Sequence, residues 1–219
     1  MMVHNSPLVS ITPENLSEKK LIYKVTNAAY DCYKTDTSTK SFDDRKKFIR
    51  HLLALGHESP FEHATITMKI HTDRGVTHEL VRHRIGAYSQ ESTRYCNYEK
   101  DKFGESITVM NPFGPEVDRN GDVYAAWEMS CKYAESAYLY LVQSGVKPEI
   151  ARAVLPTCLA ATITVTYDIR EWRHVLKLRL DEHAHPMMRK TMSKCLVKLV
   201  RKYPIFFSDI QKNEKKEES

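Results

Sequence analysis

The triplet Arg82-His83-Arg84, followed after seven residues by Ser92 within RHRIGAYSQESTRY, gathers cations and hydroxyls in one short stretch. Two guanidiniums flanking an imidazole suit an anion, because the planar fork of arginine makes charge-assisted, bidentate bonds to phosphate. Basic residues also collect at helix C-termini simply to meet the dipole. Here His83 and Arg84 follow Leu80 by three and four positions, so on a helix they continue the Val76/Leu80 stripe toward the interior. An inward guanidinium without a partner is costly, so this spacing calls for an anionic or strongly accepting partner, a place that a ligand phosphate would fill. Ser89, Gln90, Ser92, Thr93 and Arg94 add donors and acceptors of the kind that read a base edge or a ribose.

A second concentration is DIREWRHVLKLRLDEHAH, from Asp168 to His185. On a helix, Trp172, Val175, Leu176 and Leu180 form the apolar stripe, Arg179 falls near its centre and His183 lies one turn beyond. Arg179 therefore points inward, either toward a ligand or with its stem covering the core edge. Arg170, His174 and Leu178 are spaced by four and share a neighbouring face, so the helix can present one row to each of two ligands.

Regular elements must hold these groups. Ser41 is a helix cap, with Phe48, Leu52, Leu53 and Leu55 at helical spacing and Gly56 as the stop; GHESPFEH is then a loop. Ala64 to His71 alternates as a half-buried strand, with Ala64, Ile66, Met68 and Ile70 on one face. Asp73 caps a short helix through Arg84, and a β-prone stretch from Tyr88 to Tyr98 leads to a strand near Ile107 to Met110. The turn-rich Asn111 to Gly121 connection is the candidate mobile loop. A long helix from Asp122 to Ser144 carries Val123, Trp127, Ala134, Ala137, Tyr138, Leu141 and Val142 on its apolar side, and Pro148 starts another. A second alternating strand presents Ala161, Ile163, Val165 and Tyr167, and helices near Arg170 to Glu182 and Pro186 to Lys202 follow. This order predicts an α+β fold, a mainly antiparallel sheet flanked by helices in one domain over residues 1–210. Residues 211–219 are too charged to pack and read as a disordered tail.

The chain has 219 residues, a net charge of +5 and a pI near 8.8, a balance that permits an anionic partner. Its five cysteines are scattered without a CxxC pair and read as reduced thiols. No apolar run approaches a membrane span and no signal peptide is indicated, so a cytoplasmic protein without a membrane partner is expected.

The motifs resemble those of the flavin-dependent thymidylate synthases. The likeness rests on RHR, seven residues and Ser, here Arg82-His83-Arg84 to Ser92, continuing as Thr93-Arg94-Tyr95. GHESPFEH, IARAVLP (Ile150 to Pro156), REWRHVLKLR and DEHAH also resemble that family in order and spacing, over about residues 20 to 205. The resemblance implies a homotetramer with FAD where subunits meet. It implies a methyltransferase that moves the methylene of 5,10-methylenetetrahydrofolate to C5 of dUMP, giving dTMP, with NADPH-reduced FAD as hydride source. Carried onto this sequence, Ser59, Arg82, His83, Arg84, Asp168, Arg170 and His174 would hold FAD. Glu79, Arg82, Ser92, Arg94, Arg152 and Arg179 would hold dUMP, and Gln90 would touch both. Asp168 stands where the family often has Asn and Gln90 where many members have Glu.

Uracil C5 must become nucleophilic, and a cation at the pyrimidine edge stabilises the anionic ring; Arg179, which cannot deprotonate, is the candidate. No cysteine has a recognisable nucleophile context, and Ser92 is expected to bind and orient dUMP instead of attacking it.

Two other classes compete. A metal-dependent hydrolase could draw on His57, His63, His83, His174, His183 and His185, but GHESPFEH is no helical HExxH, and no metal is expected. A nucleic-acid module could use Tyr88, Tyr95 and Tyr98 among basic residues, but the same features suit a mononucleotide, and no nucleic-acid partner is expected.

Overall fold

The two alternating segments become the two nine-residue strands of a computed structural model that describes residues 1–100 and 104–217, with side chains through 210. In chain order come β1 (Met2–His4), β2 (Leu8–Ile11), α1 (Glu18–Cys32), α2 (Phe42–Leu55), a 3-10 turn at Ser59–His63, β3 (Thr65–Asp73) and α3 (Arg74–Leu80). Then follow β4 (Ala87–Gln90), β5 (Thr108–Met110), α4 (Asp122–Gln143), α5 (Pro148–Ala151) and a 3-10 turn at Arg152–Val154. The last elements are β6 (Ala160–Asp168), α6 (Ile169–Leu180), α7 (Pro186–Lys202) and α8 (Pro204–Glu217).

The larger sheet has the order β2-β3-β6-β4. Thr67 Oγ1 meets Thr166 Oγ1 at 2.8 Å and His71 Nδ1 meets Thr162 Oγ1 at 3.1 Å, which makes β3 and β6 antiparallel. Ala64, Ile66, Met68 and Ile70, like Ala161, Ile163, Val165 and Tyr167, are buried as their alternation requires. A second, two-stranded sheet pairs β1 with β5 in parallel, Met2 opposite Thr108. That parallel pair stands outside the mainly antiparallel sheet; β5 falls where a strand is expected near Ile107 to Met110, whereas the three residues of β1 show too little alternation to announce themselves.

The chain divides into two compact units, each built from several stretches. Unit 1 comprises Met1–Leu8, His71–Arg82 and Ser89–Ile163; unit 2 comprises Val9–Ile70, His83–Tyr88 and Thr164–Ser219. The RHR motif is thus divided, with Arg82 in unit 1 and His83 and Arg84 in unit 2.

In unit 1, Tyr98, Ile107, Val109, Cys131, Tyr138, Ala151 and Leu159 form the core, with Trp127, Leu141 and Val142 packed against it. Val123, placed on this stripe by sequence, is exposed, because the first turn of α4 lies ahead of the residues that meet the core. The Asn111 to Gly121 connection is tied at its start: the buried Asn111 donates its N–H to the His4 carbonyl at 2.8 Å, and Phe113 packs on Tyr124 and Trp127.

In unit 2, α2 begins with a full capping box between Ser41 and Asp44 and ends on Gly56 at φ 69°, a left-handed conformation that glycine adopts without steric cost. Helices α1, α2, α6, α7 and α8 pack on one another and bury Leu21, Ile22, Val25, Leu52, Trp172, Leu176, Met188, Leu199 and Phe206. The Trp172 indole donates to the Ile66 carbonyl at 2.9 Å.

Helix α8 continues to Glu217, through most of the range expected to be a disordered tail. Lys, Glu and Gln are strong helix formers, so a segment too polar to build a core still extends a helix begun at Pro204. The side chains of 211–217 and residues 218–219 lie outside the described residues. Among the described residues, no helix is long and apolar enough to cross a membrane.

The anchor of α8 to α6 is a buried guanidinium. Arg173 donates to both carboxylate oxygens of Asp209, at 2.8 and 2.6 Å, and to the Phe206 carbonyl. Burial pushes the Asp209 carboxyl up, but the hydrogen bonds and charge of Arg173 outweigh it and hold the group below its ordinary range. A carboxylate depressed in the folded state stabilises the fold above its unfolded value of about 3.9, and that gain is lost as pH falls through the folded value. Asp209→Ala should cost about 2 kcal/mol at neutral pH, a loss discounted from the fully buried case because half of the Asp209 side chain is in water. Denaturant unfolding of both proteins at pH 7 and near pH 3 checks this, and the difference should shrink at the lower pH.

Candidate active site

Asp168 ends β6 and begins α6. Its carboxylate accepts the Glu171 N–H at 2.7 Å and thereby caps the helix. One helical turn on, His174 stands beside Glu171, and the stripe of Trp172, Val175 and Leu176 sinks into the core, as the spacing predicts. Asp168, Arg170, Glu171 and His174 line a cavity of about 380 Å³ together with Glu58, Glu62 and Ile85. Four carboxylates in one lining need cations or protons. Arg170 supplies the first, its Nη1 donating to Glu62 and its Nε lying 3.4 Å from Glu58. Burial acts on the other two, raising the Asp168 and Glu171 carboxyls from their ordinary values.

His83 is buried where the chain passes from α3 to β4. Its Nε2 accepts the Arg179 Nε–H at 3.0 Å, so the ring proton sits on Nδ1, which faces Glu171 Oε1 at 3.6 Å. Burial, with the nearby charges of Arg179 and His174, pushes the His83 imidazole down to about 4. At neutral pH the ring is uncharged, and its approach to Glu171 is a dipolar contact, not an ion pair. The ring of His174 meets that of His83 edge to face at 6.1 Å.

His83 is inward as expected, although no helix carries it there, and Arg84 is exposed. The helix expected to run through Arg84 stops at Leu80, so positions 83 and 84 leave the helical stripe and side chains in this irregular stretch point to opposite sides. Arg82 is exposed as well. No hydrogen bond or ion pair holds either guanidinium among the described residues. Ser59, at the start of its 3-10 turn, is exposed, and Arg179 is half-buried.

Unit 1 carries most of the remaining candidates, on α3 and on the turns after β4. Asp73 caps α3 through the Val76 N–H at 2.7 Å, and Glu79 is half-buried on that helix. Gln90 Nε2 donates to Thr77 Oγ1 at 2.9 Å. Ser92 Oγ accepts the Arg94 N–H at 3.3 Å, a local turn contact. Arg152 Nη1 donates to Thr93 Oγ1 at 3.2 Å, and the Arg94 guanidinium stacks on the exposed Tyr95 ring at 5.5 Å. Glu91 fixes the turn, accepting from the Tyr98 hydroxyl at 2.9 Å and from the Thr162 N–H at 3.4 Å.

The family model described as "thymidylate synthase complementing protein" matches residues 12–205. The chain belongs to the flavin-dependent thymidylate synthase family. A relative of that name from Pyrococcus furiosus is 33% identical over 202 residues, covering 89% of this chain and 80% of its own. Another, from Corynebacterium efficiens, is 34% identical over 192 residues, covering 82% and 76%. Among solved structures, the UMP/dUMP methylase PolB from Streptomyces cacaoi, bound with 5-Br dUMP, aligns with a TM-score of 0.75 at 20% identity over 95% of this chain and 96% of that one, a likeness of fold.

Seen as a member of this family, the chain groups its candidate flavin residues unevenly. Ser59, His83, Arg84, Asp168, Arg170 and His174 fall in unit 2, whereas Arg82 and Gln90 fall in unit 1. Sequence reasoning did not single out Glu58 and Glu62, although both stand inside GHESPFEH, or Glu171, and it did not pair Tyr88 with Tyr167. Their long-range contacts span 79 to 112 residues of chain, which no local pattern encodes.

His83, Glu171 and His174 are the one group of described residues whose ligand atoms could gather a metal, lying within 4.8 Å of one another. The Arg179 N–H on His83 Nε2 keeps the ring proton on Nδ1, the nitrogen toward Glu171, and puts a positive charge beside the ring. Both oppose a cation there.

The cap at Asp168 separates charge from shape. Asn caps a helix as well as Asp does, so Asp168→Asn should unfold at the same temperature as the parent or slightly above it at pH 7. A carboxyl raised by burial weakens the fold as pH rises through its folded value, and Asn removes that cost. Asp168→Ala loses the cap and should be less stable by about 1 kcal/mol, as thermal unfolding of the three proteins will show.

Proposed function

We propose that the protein methylates dUMP to dTMP, with 5,10-methylenetetrahydrofolate as one-carbon donor, NADPH as reductant and FAD as bound cofactor. The observation that carries this reading is the family match over residues 12–205, which contains the whole RHR-to-Ser92 motif and all of α6. Relatives at 33% and 34% identity carry the name flavin-dependent thymidylate synthase, and the fold neighbour is described as a UMP/dUMP methylase.

The lining of the α6 cavity fits the neutral parts of a flavin better than its diphosphate. The four carboxyl groups would serve as acceptors for the donor groups of a flavin, and Arg170 and His174 would serve as donors to its acceptors. A diphosphate among those acids would be repelled. Its charge is assigned instead to Arg82 and Arg84, whose exposed forks suit phosphate. Ser59, His83 and Asp168 complete the set, with Gln90 assigned to both ligands. When bound, the flavin supplies hydride, chemistry that no side chain of this protein offers.

The chain's own residues bind and polarise the pyrimidine. Glu79, Ser92, Arg94 and Arg152, with Arg82, are assigned to hold dUMP, the arginines taking phosphate and ribose and the others the base edge. Arg179 is assigned to the ring, where a permanent cation favours the ionised pyrimidine and makes C5 nucleophilic. His83, held neutral, keeps that guanidinium in place through Nε2 without competing for protons. Assembly into a homotetramer with flavin at the interfaces completes the reading.

Purified protein should show flavin absorbance and convert dUMP when given methylenetetrahydrofolate and NADPH, with UMP run beside it. Arg179→Ala should lower turnover by about 100-fold or more while the flavin spectrum is retained. A colourless protein that takes up no flavin would refute the proposal, and undiminished turnover in Arg179→Ala would move the ring-stabilising role elsewhere.

A further inference from the structure

We infer that Tyr88 and Tyr167 are positioning residues for Arg179, their paired hydroxyls fixing the His83 backbone and, through the His83 ring, the guanidinium. His83 lies outside any helix or strand, so no ladder holds its backbone. The Tyr88 hydroxyl takes that place by donating to the His83 carbonyl. With its single proton so directed, Tyr88 accepts from the Tyr167 hydroxyl at 2.7 Å.

Tyr167 is itself immobilised. It is buried, packs on Trp172 at 4.8 Å and 70°, and meets Tyr88 edge to face at 5.8 Å. The bend at Gly86 rests on the same ring: a Cβ there would lie 2.4 Å from two Tyr167 ring carbons, so only glycine permits this approach. Trp172 and Arg179 both belong to α6, seven residues and two turns apart on one face. The contacts therefore close a circuit, from α6 through Trp172, Tyr167, Tyr88 and His83 back to Arg179 on α6. Every member lies in unit 2. Burial raises both phenols above their ordinary range, so both keep their protons and remain donors at working pH.

The circuit explains why a buried phenol and a half-buried one stand behind the RHR motif where Phe would fill the same space. An arginine stem has four rotatable bonds, and a cation that must meet one edge of a planar ring gains from having them fixed in advance. This inference rests on the assignment of Arg179 to the pyrimidine, and dUMP binding tests the two separately.

Calorimetric titration of the flavin-loaded protein with dUMP, in a cycle of Tyr88→Phe, Arg179→Ala and the double variant, reads the coupling. In the parent, Tyr88→Phe should weaken dUMP binding roughly fivefold, the worth of one neutral hydrogen bond. In the Arg179→Ala background it should add nothing. An equal loss in both backgrounds, or no loss in the parent, would overturn the inference while leaving the proposed function intact. A parent protein that binds no dUMP at all would instead overturn the proposed function. Tyr167→Phe, which removes the donor to Tyr88, is expected to behave in the same way and serves if Tyr88→Phe does not melt cooperatively; additive loss there counts equally against the idea.

Discussion

One contact organises the chemistry of unit 2: a buried imidazole that must stay neutral to accept an N–H from a guanidinium. A protonated His83 has two donors and no acceptor, and would meet Arg179 as one cation meets another. Burial guarantees the neutral form, and the acceptor role of Nε2 then fixes which nitrogen keeps the proton. The turn after α3, the glycine at position 86 and the tyrosine pair behind it all serve to deliver that ring to that place.

The protein also separates charges that a nucleotide enzyme must use differently. The cavity beside α6 is acidic, and its one arginine is already shared between Glu58 and Glu62. Arg82 and Arg84 are exposed, and Arg94 and Arg152 reach only a ring face and a hydroxyl in the contacts that hold them. Neutral, donor-rich ligand groups suit the first environment and phosphates the second. Arg173 shows the contrast: bonded to two carboxylate oxygens and a carbonyl, it is a strut.

Much of this was legible in the residues. The alternation in β3 and β6, the caps at Ser41 and Asp73 and the apolar stripe on α6 follow from local pattern. Arg84 was not legible, because extending a helical period past Leu80 assumed a helix that ends there. Nor were the buried arginines: Arg45 and Arg173 are the guanidiniums the fold encloses, held by Thr26 and Asn27 in one case and Asp209 in the other. Such partners lie 18 to 36 residues away in sequence and have no periodic signature. The charged segment after residue 210 erred in the other direction, since poor packing potential does not preclude helix propensity.

Nitrogen-15 NMR of the imidazole nitrogens addresses the organising contact without any ligand. The structure requires His83 to hold one neutral tautomer, protonated on Nδ1, with Nε2 at the shift of a hydrogen-bonded acceptor and no titration between about pH 5 and 8. An His83 signal that titrates near 6.5, the ordinary histidine value, with both nitrogens protonated below it, would contradict this account of how Arg179 is held.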